Sequence, residues 1–187
     1  MHPGEGVAMH THSDVDNLLI VLSGTCHHDD SDGHSIDLHA GDVSLLAAGR
    51  AMAHAEHVQG SDDLEVLVVL LEPVQRGGAS QHLTARLDDL TRHNRLQVFA
   101  SGGRFASGQA LPLRSESRVL SAQLDAGRSF EHVFQHGVGY ICVLGGAALV
   151  DGRRLAGGDR ALIDGGGTLR VEAVEDAQIF VVEMAAG

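Results

Sequence analysis

The chain is poor in the residues that usually fill a protein interior. Its 187 residues include no tryptophan, one tyrosine and five phenylalanines. An aromatic core is therefore excluded, and Val, Leu, Ile and Ala must supply the buried volume. Proline is scarce too, with three residues against 24 glycines. That ratio calls for many tight turns between short elements, the habit of an all-β protein. Only two cysteines occur, Cys26 and Cys142, each inside an apolar stretch. Buried free thiols in a reducing compartment are expected, with a single disulfide as the alternative. Positive charge is in deficit, 13 Lys and Arg against 25 Asp and Glu, for a net charge of −12. Neither nucleic acid nor an anionic membrane suits such a surface. The longest apolar run, VLVVLL at 66–71, is far too short to cross a bilayer and reads as a buried strand. The start, MHPGEGVAMHTH, has neither a basic opening nor an apolar segment of signal-peptide length. A cytoplasmic protein is expected.

The length fits one large domain or two small ones. LLIVLSGTC at 18–26 is a β-type run, and HDDSDGHS at 28–35 is a hairpin turn around Asp32-Gly33. LEVLVVLLEP closes at Pro73. The composition then turns polar, and Leu83, Leu87 and Leu90 after Ser80 have helical spacing, so a connector with one short helix is expected. Strands resume at 96–101 and after Leu113.

The last third echoes the first. VLSG at 21–24 returns as VLGG at 143–146, Asp32-Gly33 as Asp151-Gly152, and HAGDVSLLAAG (39–49) as AGGDRALIDGG (156–166). Three echoes in one order imply two copies of a single β-unit.

Histidine is what the chain has in plenty, with 13. His10 and His12 are one residue apart, a pattern that chance alone would supply about once in such a chain. Side chains at i and i+2 of a strand share a face, so these two project together if extended. His54 and Glu56 repeat the arrangement. Two neighbouring strands offering two donors each can surround one ion with three imidazoles and a carboxylate. That set suits Fe(II), Mn, Co, Ni, Cu or Zn. His27, His28, His34 and His39, with Asp29 and Asp30, read as a solvated turn, a composition that also binds ions loosely. His57 is expected to point outward. His82 and His93 lie on the connector.

The frame is Gly4-x5-His10-x-His12-x3-Asp16-x7-Gly24, then Gly41-Asp42-x6-Gly49-x4-His54-x-Glu56. It resembles the paired motif of the cupin superfamily, and the His-x-Glu form is similar to the pirin-like bicupins, which include bacterial quercetin 2,3-dioxygenases. The resemblance extends through LPLRSESRVLSAQLDAG and VLGGAALVDGRRLAGGDRALI. It implies two double-stranded β-helix (jelly-roll) barrels: residues 1–73 with the metal site and with the first strands missing, a connector at 74–112, and 113–187 without ligands. It implies His10, His12, His54 and Glu56 as ligands of one divalent transition metal, Fe(II) first, with Glu56 also catalytic. In the wider superfamily the Asp16 position can itself be a ligand; the i+2 relation to His54 favours Glu56. The implied activity is a metal-dependent dioxygenation of a flavonol-like or other enolisable hydroxylated small molecule with O₂. A non-catalytic metal-binding regulator, or a cupin that binds or isomerises a small oxygenated metabolite, are the alternatives. His132 and His136 stand where the second copy lacks the donor pattern, and are expected to be structural or surface residues. An uncovered edge on the first barrel would invite self-association.

Overall fold

Leu18, Leu19, Ile20 and Val21 are all buried, as an unbroken apolar run paired on both sides requires. They form the middle of β2 (Asp16–Ser23) in a computed structural model that describes residues 1–134 and 137–185. His136 lies outside the described residues. The chain divides into two units, residues 1–87 with 113–115, and 88–112 with 116–187.

The first unit holds β1 (Gly6–His12), β2, β3 (Thr25–Asp30), β4 (Ser35–His39), β5 (Asp42–Ala47), β6 (Met52–Val58), β7 (Glu65–Leu71) and β8 (Gln81–Arg86). They make two antiparallel sheets, ordered β1-β6-β3-β4 and β7-β2-β5-β8. Leu19 and Val21 from one sheet meet Cys26, Leu38 and Val58 from the other in one buried cluster. The alternation of β3 and β6 shows which side chains enter that interior. Cys26, His28 and Asp30 are buried on β3, and Met52, His54, Glu56 and Val58 on β6, while the residues between them are more exposed.

The second unit begins with a single helical turn, α1 (Asp89–Arg92), then β9 (Gln97–Gly102) and β10 (Leu111–Leu113). Eight strands follow: β11 (Ser117–Leu124), β12 (Ser129–Phe134), β13 (Val138–Gly145), β14 (Ala147–Val150), β15 (Arg153–Ala156), β16 (Arg160–Asp164), β17 (Gly167–Ala173) and β18 (Ala177–Met184). Their sheets run β10-β9-β11-β18-β13-β16 and β12-β17-β14-β15. One aliphatic cluster, with Phe134 as its buried aromatic, joins the two. The scarcity of aromatics is thus met by Leu, Ile, Val and Ala, as the composition requires.

The internal repeat is structural. The order β1-β6-β3-β4 of the first unit recurs as β12-β17-β14-β15, and β7-β2-β5 recurs as β18-β13-β16. One difference follows. The outer edge of β18 is covered by β11 over eight residue pairs, whereas among the described residues no strand pairs with that edge of β7. VLVVLL is accordingly not the buried strand its composition suggests. Val68 and Leu70, opposite Leu19 and Asn17 on β2, are 45% and 55% exposed. A run of apolar residues specifies a strand, but the missing neighbour decides its burial.

The connector carries the one short helix expected of it, but not over Leu83 and Leu87. Gln81–Arg86 is a strand, paired with β5 through Leu83 opposite Leu45, and the only α-helix among the described residues is the turn at 89–92. Three leucines at helical spacing carry a weak local preference, and hydrogen bonds offered by the free edge of β5 override it. Ser80 lies outside the helix, and its hydroxyl donates to Asp32 Oδ2.

Candidate metal centre

β1 lies antiparallel to β6 with His10 directly opposite His54 and His12 opposite Met52. Directly opposed residues share a face, so both histidines of β1 enter the interior beside His54. The Nε2 atoms of His10 and His12 are 3.0 Å apart. The His54 ring is 4.4 Å from that of His10 and 5.0 Å from that of His12, centre to centre. One nitrogen of each ring lies within 4.8 Å of the other two. Neighbouring donors on a six-coordinate ion with bonds of about 2.1 Å stand about 3.0 Å apart, so the His10–His12 spacing fits two ligands of one ion. His10 Nδ1 is 2.9 Å from the Ala8 carbonyl oxygen. A proton on Nδ1 donated to that carbonyl leaves Nε2 as the free lone pair, the usual support of a metal-bound imidazole.

Glu56 enters by another route. Its Oε1 is 3.0 Å from His54 Nδ1, yet that nitrogen is buried with no hydrogen bond, so the approach is close but out of line. Glu56 and His54 form a second donor group with His28, again within 4.8 Å. Of the four expected ligands, the three imidazoles therefore assemble as one group, and Glu56 joins through His54 rather than beside His10 and His12. An orphaned, buried ring nitrogen next to a carboxylate is an environment that a cation satisfies, and an imidazole-rich set of this kind fits a divalent transition metal.

The electrostatics follow from burial. Burial is the first cause that lowers the His12 pKa, helped by His54 and His10. The same order, burial and then His54, lowers that of His28. Burial by itself would raise the Glu56 carboxyl, but the close approach and charge of His54, with His28 and His10, hold it below the ordinary carboxylate value. His82, on β8, is pushed down to about 4, by burial and then by His28. Neutral imidazoles beside an ionised carboxylate are the protonation states that metal binding needs.

Asp16 does not face the other donors. Asn17 faces the interior, its amide nitrogen 3.4 Å from His54 Nε2, so Asp16 points to the opposite face. There its Oδ2 accepts the backbone N–H of Arg114 and Ser115 at 2.6 and 3.2 Å. His57 is exposed, as expected. His28 is not part of a solvated turn: its side chain is 2% exposed. Its spacing to Asp30 repeats the i, i+2 pattern of His54 and Glu56, a signal present in the sequence. Nothing in the sequence signals His82, whose side chain is also 2% exposed. Both cysteines are free thiols, and burial pushes Cys26 up to about 12.

In the second unit β12 carries His132 where β1 carries His10 and His12. His132 Nε2 bonds Glu183 Oε2 at 2.8 Å, and Arg118 reaches the same oxygen at 2.7 Å. Glu183 is fully buried. This is an ion-paired structural cluster, and no three-donor metal group occurs among the described residues of this unit. No helix among the described residues is long and apolar enough to cross a membrane.

Comparison with known proteins agrees with this fold. Residues 1–70 match the family model described as Pirin, and residues 100–184 match the quercetinase C-terminal cupin domain. A pirin-like protein of Caulobacter vibrioides is 31% identical over 98% of this chain and 79% of its own length. Quercetin 2,3-dioxygenase of Escherichia coli is 30% identical over 86 residues, 46% of this chain and 37% of that protein. The crystal structure of the Escherichia coli bacterial pirin YhhW in complex with nickel(II) superposes with a TM-score of 0.90 at 20% identity, covering 100% of this chain and 80% of that one.

Proposed function

The chain belongs to the pirin family of bicupins, and on that premise we propose that it is a metal-dependent dioxygenase. Its substrate class is a flavonol-like or other enolisable hydroxylated small molecule, with O₂ as co-substrate. The observation that carries this reading is the convergence of His10, His12 and His54 on one point, with Glu56 against His54. His10, His12 and His54 hold the ion, and Glu56 completes the set or stands beside it. Iron(II) is our first assignment and nickel(II), the ion in the YhhW complex, the second. When bound, such an ion lowers the pKa of a substrate hydroxyl and supplies a partner for O₂.

The chain's own residues do the rest. Glu56, ionised and buried, accepts the hydroxyl proton as general base. The Ala8 carbonyl and the Asn17 amide orient the His10 and His54 rings. Protein reloaded in turn with iron(II), nickel(II) and copper(II) is expected to bleach the visible absorption of quercetin in air and not under anaerobic conditions. Glu56→Gln is expected to slow turnover by about 10²-fold or more while the ion stays bound. Unchanged absorption with every ion removes the flavonol reading, and loss of the ion from Glu56→Gln makes that residue a ligand.

Self-association belongs to this reading as well, and we place it on the open edge of β7. Residues 66–71 carry no charge, so a second copy of the strand meets no like charge, and antiparallel pairing with itself is compatible with two-fold symmetry. Light scattering is expected to show a dimer, and Val68→Lys a monomer, since an edge lysine opposes strand addition. A wild-type monomer at high concentration excludes the contact.

A further inference from the structure

A second group of donors lies in the first unit and shares no residue with His10, His12, His54 and Glu56. β3 offers His28 and Asp30 on one face, opposite Glu56 and His54 on β6. β8, from the other sheet, brings His82. Asp30 Oδ2 is the hub: it is 3.2 Å from His82 Nδ1, 2.9 Å from His34 Nδ1 and 3.6 Å from His28 Nε2. Donors bound at about 2.0 Å to a tetrahedral ion stand about 3.3 Å from one another, and these spacings bracket that value.

Hydrogen bonding alone does not account for the cluster. At 3.6 Å His28 Nε2 makes no bond to Asp30, and it is a buried nitrogen with no partner. The surroundings are those of a supported ligand set. Asp30 Oδ1 accepts the backbone N–H of Asp32 and His34 at 2.9 and 3.0 Å, and also lies 3.1 Å from His34 Nδ1, which orients the carboxylate so that Oδ2 faces the imidazoles. His82 Nε2 is 2.8 Å from Ser44 Oγ, so a proton on Nε2 leaves Nδ1 for a cation. His34, with its side chain 47% exposed, closes the solvent side.

We propose that His28, Asp30 and His82, with His34 as the outer ligand, bind a second divalent cation of the zinc, copper or nickel class. Mixed imidazole and carboxylate donors select these ions over magnesium or calcium. The ion clamps β8, an edge strand of one sheet, to β3 of the other. The site stands independently of the dioxygenase reading.

Chelator-stripped protein, titrated with zinc and desalted, tests this by metal analysis and calorimetry. The wild-type chain is expected to retain two equivalents, and His54→Ala one. His82→Asn is also expected to retain one, with an unchanged circular dichroism spectrum. Asp30→Asn, whose side-chain oxygen can still hold the 30–34 turn, gives the same count should His82→Asn fail to fold. A wild-type chain that retains no more zinc than His82→Asn or Asp30→Asn overturns the proposal. So does retention of two by either variant, which would put the second ion elsewhere, such as on the exposed His27 and Asp37 pair.

Discussion

Replacing His54 with alanine is expected to empty the proposed ion site and abolish the proposed oxygen-dependent turnover. His54 is the residue that joins the two donor groups, His10 and His12 on one side and Glu56 on the other. It is 1% exposed, and an alanine in its place offers no donor atom. Losing even a supporting partner of a ligand typically costs 10–100-fold in metal affinity, so loss of the ligand itself should cost about 100-fold or more. A catalytic ion stabilises its transition state by several kcal/mol, so turnover should fall by roughly 10³-fold. Thr11→Ala is the matched control. It lies between His10 and His12 in sequence, faces the other way and is exposed, and it should retain both ion and activity. Ion content is read by metal analysis beside the quercetin assay. A His54→Ala protein that keeps its ion and its rate would refute the assignment of the site.

The largest effect on stability is expected from Gly146→Ala. Gly146 closes the VLGG stretch at a φ of +70°, and a Cβ there would stand 1.9 Å from the backbone oxygen of Asp176. Gly24, its echo in VLSG, has a φ of +77° and would bring a Cβ to 2.5 Å from the Asp63 oxygen. Neither obstacle is a side-chain tip that can swing away. In both copies the turn must pass close against the chain just before a strand, β7 in the first and β18 in the second. The left-handed conformation costs an alanine about 1–2 kcal/mol, and separating the two backbone segments raises the total to about 4 kcal/mol. For a chain of this size that is a fall in Tm of roughly 10 °C. Gly33→Ala isolates the first part of the cost. Its φ is +94° with nothing within 4 Å, so it should lose about 1 kcal/mol. Thermal and urea unfolding of the two variants settle the comparison, and equal losses would exclude the close approach as the cause.

Much of the architecture could be read in the residues because strands and turns leave local signatures. The glycine-rich punctuation, the LLIVL run and the paired Asp-Gly turns specify β-elements, and the echo of VLSG by VLGG specifies that they occur twice. The donor-bearing strands could be read for the same reason: alternation is a property of extended backbone, so His10-x-His12 and His54-x-Glu56 each share a face wherever they fold. The same rule covers His28-x-Asp30, but charged neighbours made that segment look like a solvated turn. The leucines at 83 and 87 misled because helical spacing is a weak preference that a free sheet edge overrides.

By itself, then, the sequence determined the β-class, the duplication and which donors leave their strands together, since each depends on neighbours a few residues away. Tertiary structure alone decided the rest. It set His10 opposite His54, put His28 and His82 in the same interior, turned Asp16 away to Arg114, and left one edge of β7 unpaired among the described residues. Each of these depends on strand register and pairing between segments tens of residues apart, which no local pattern encodes.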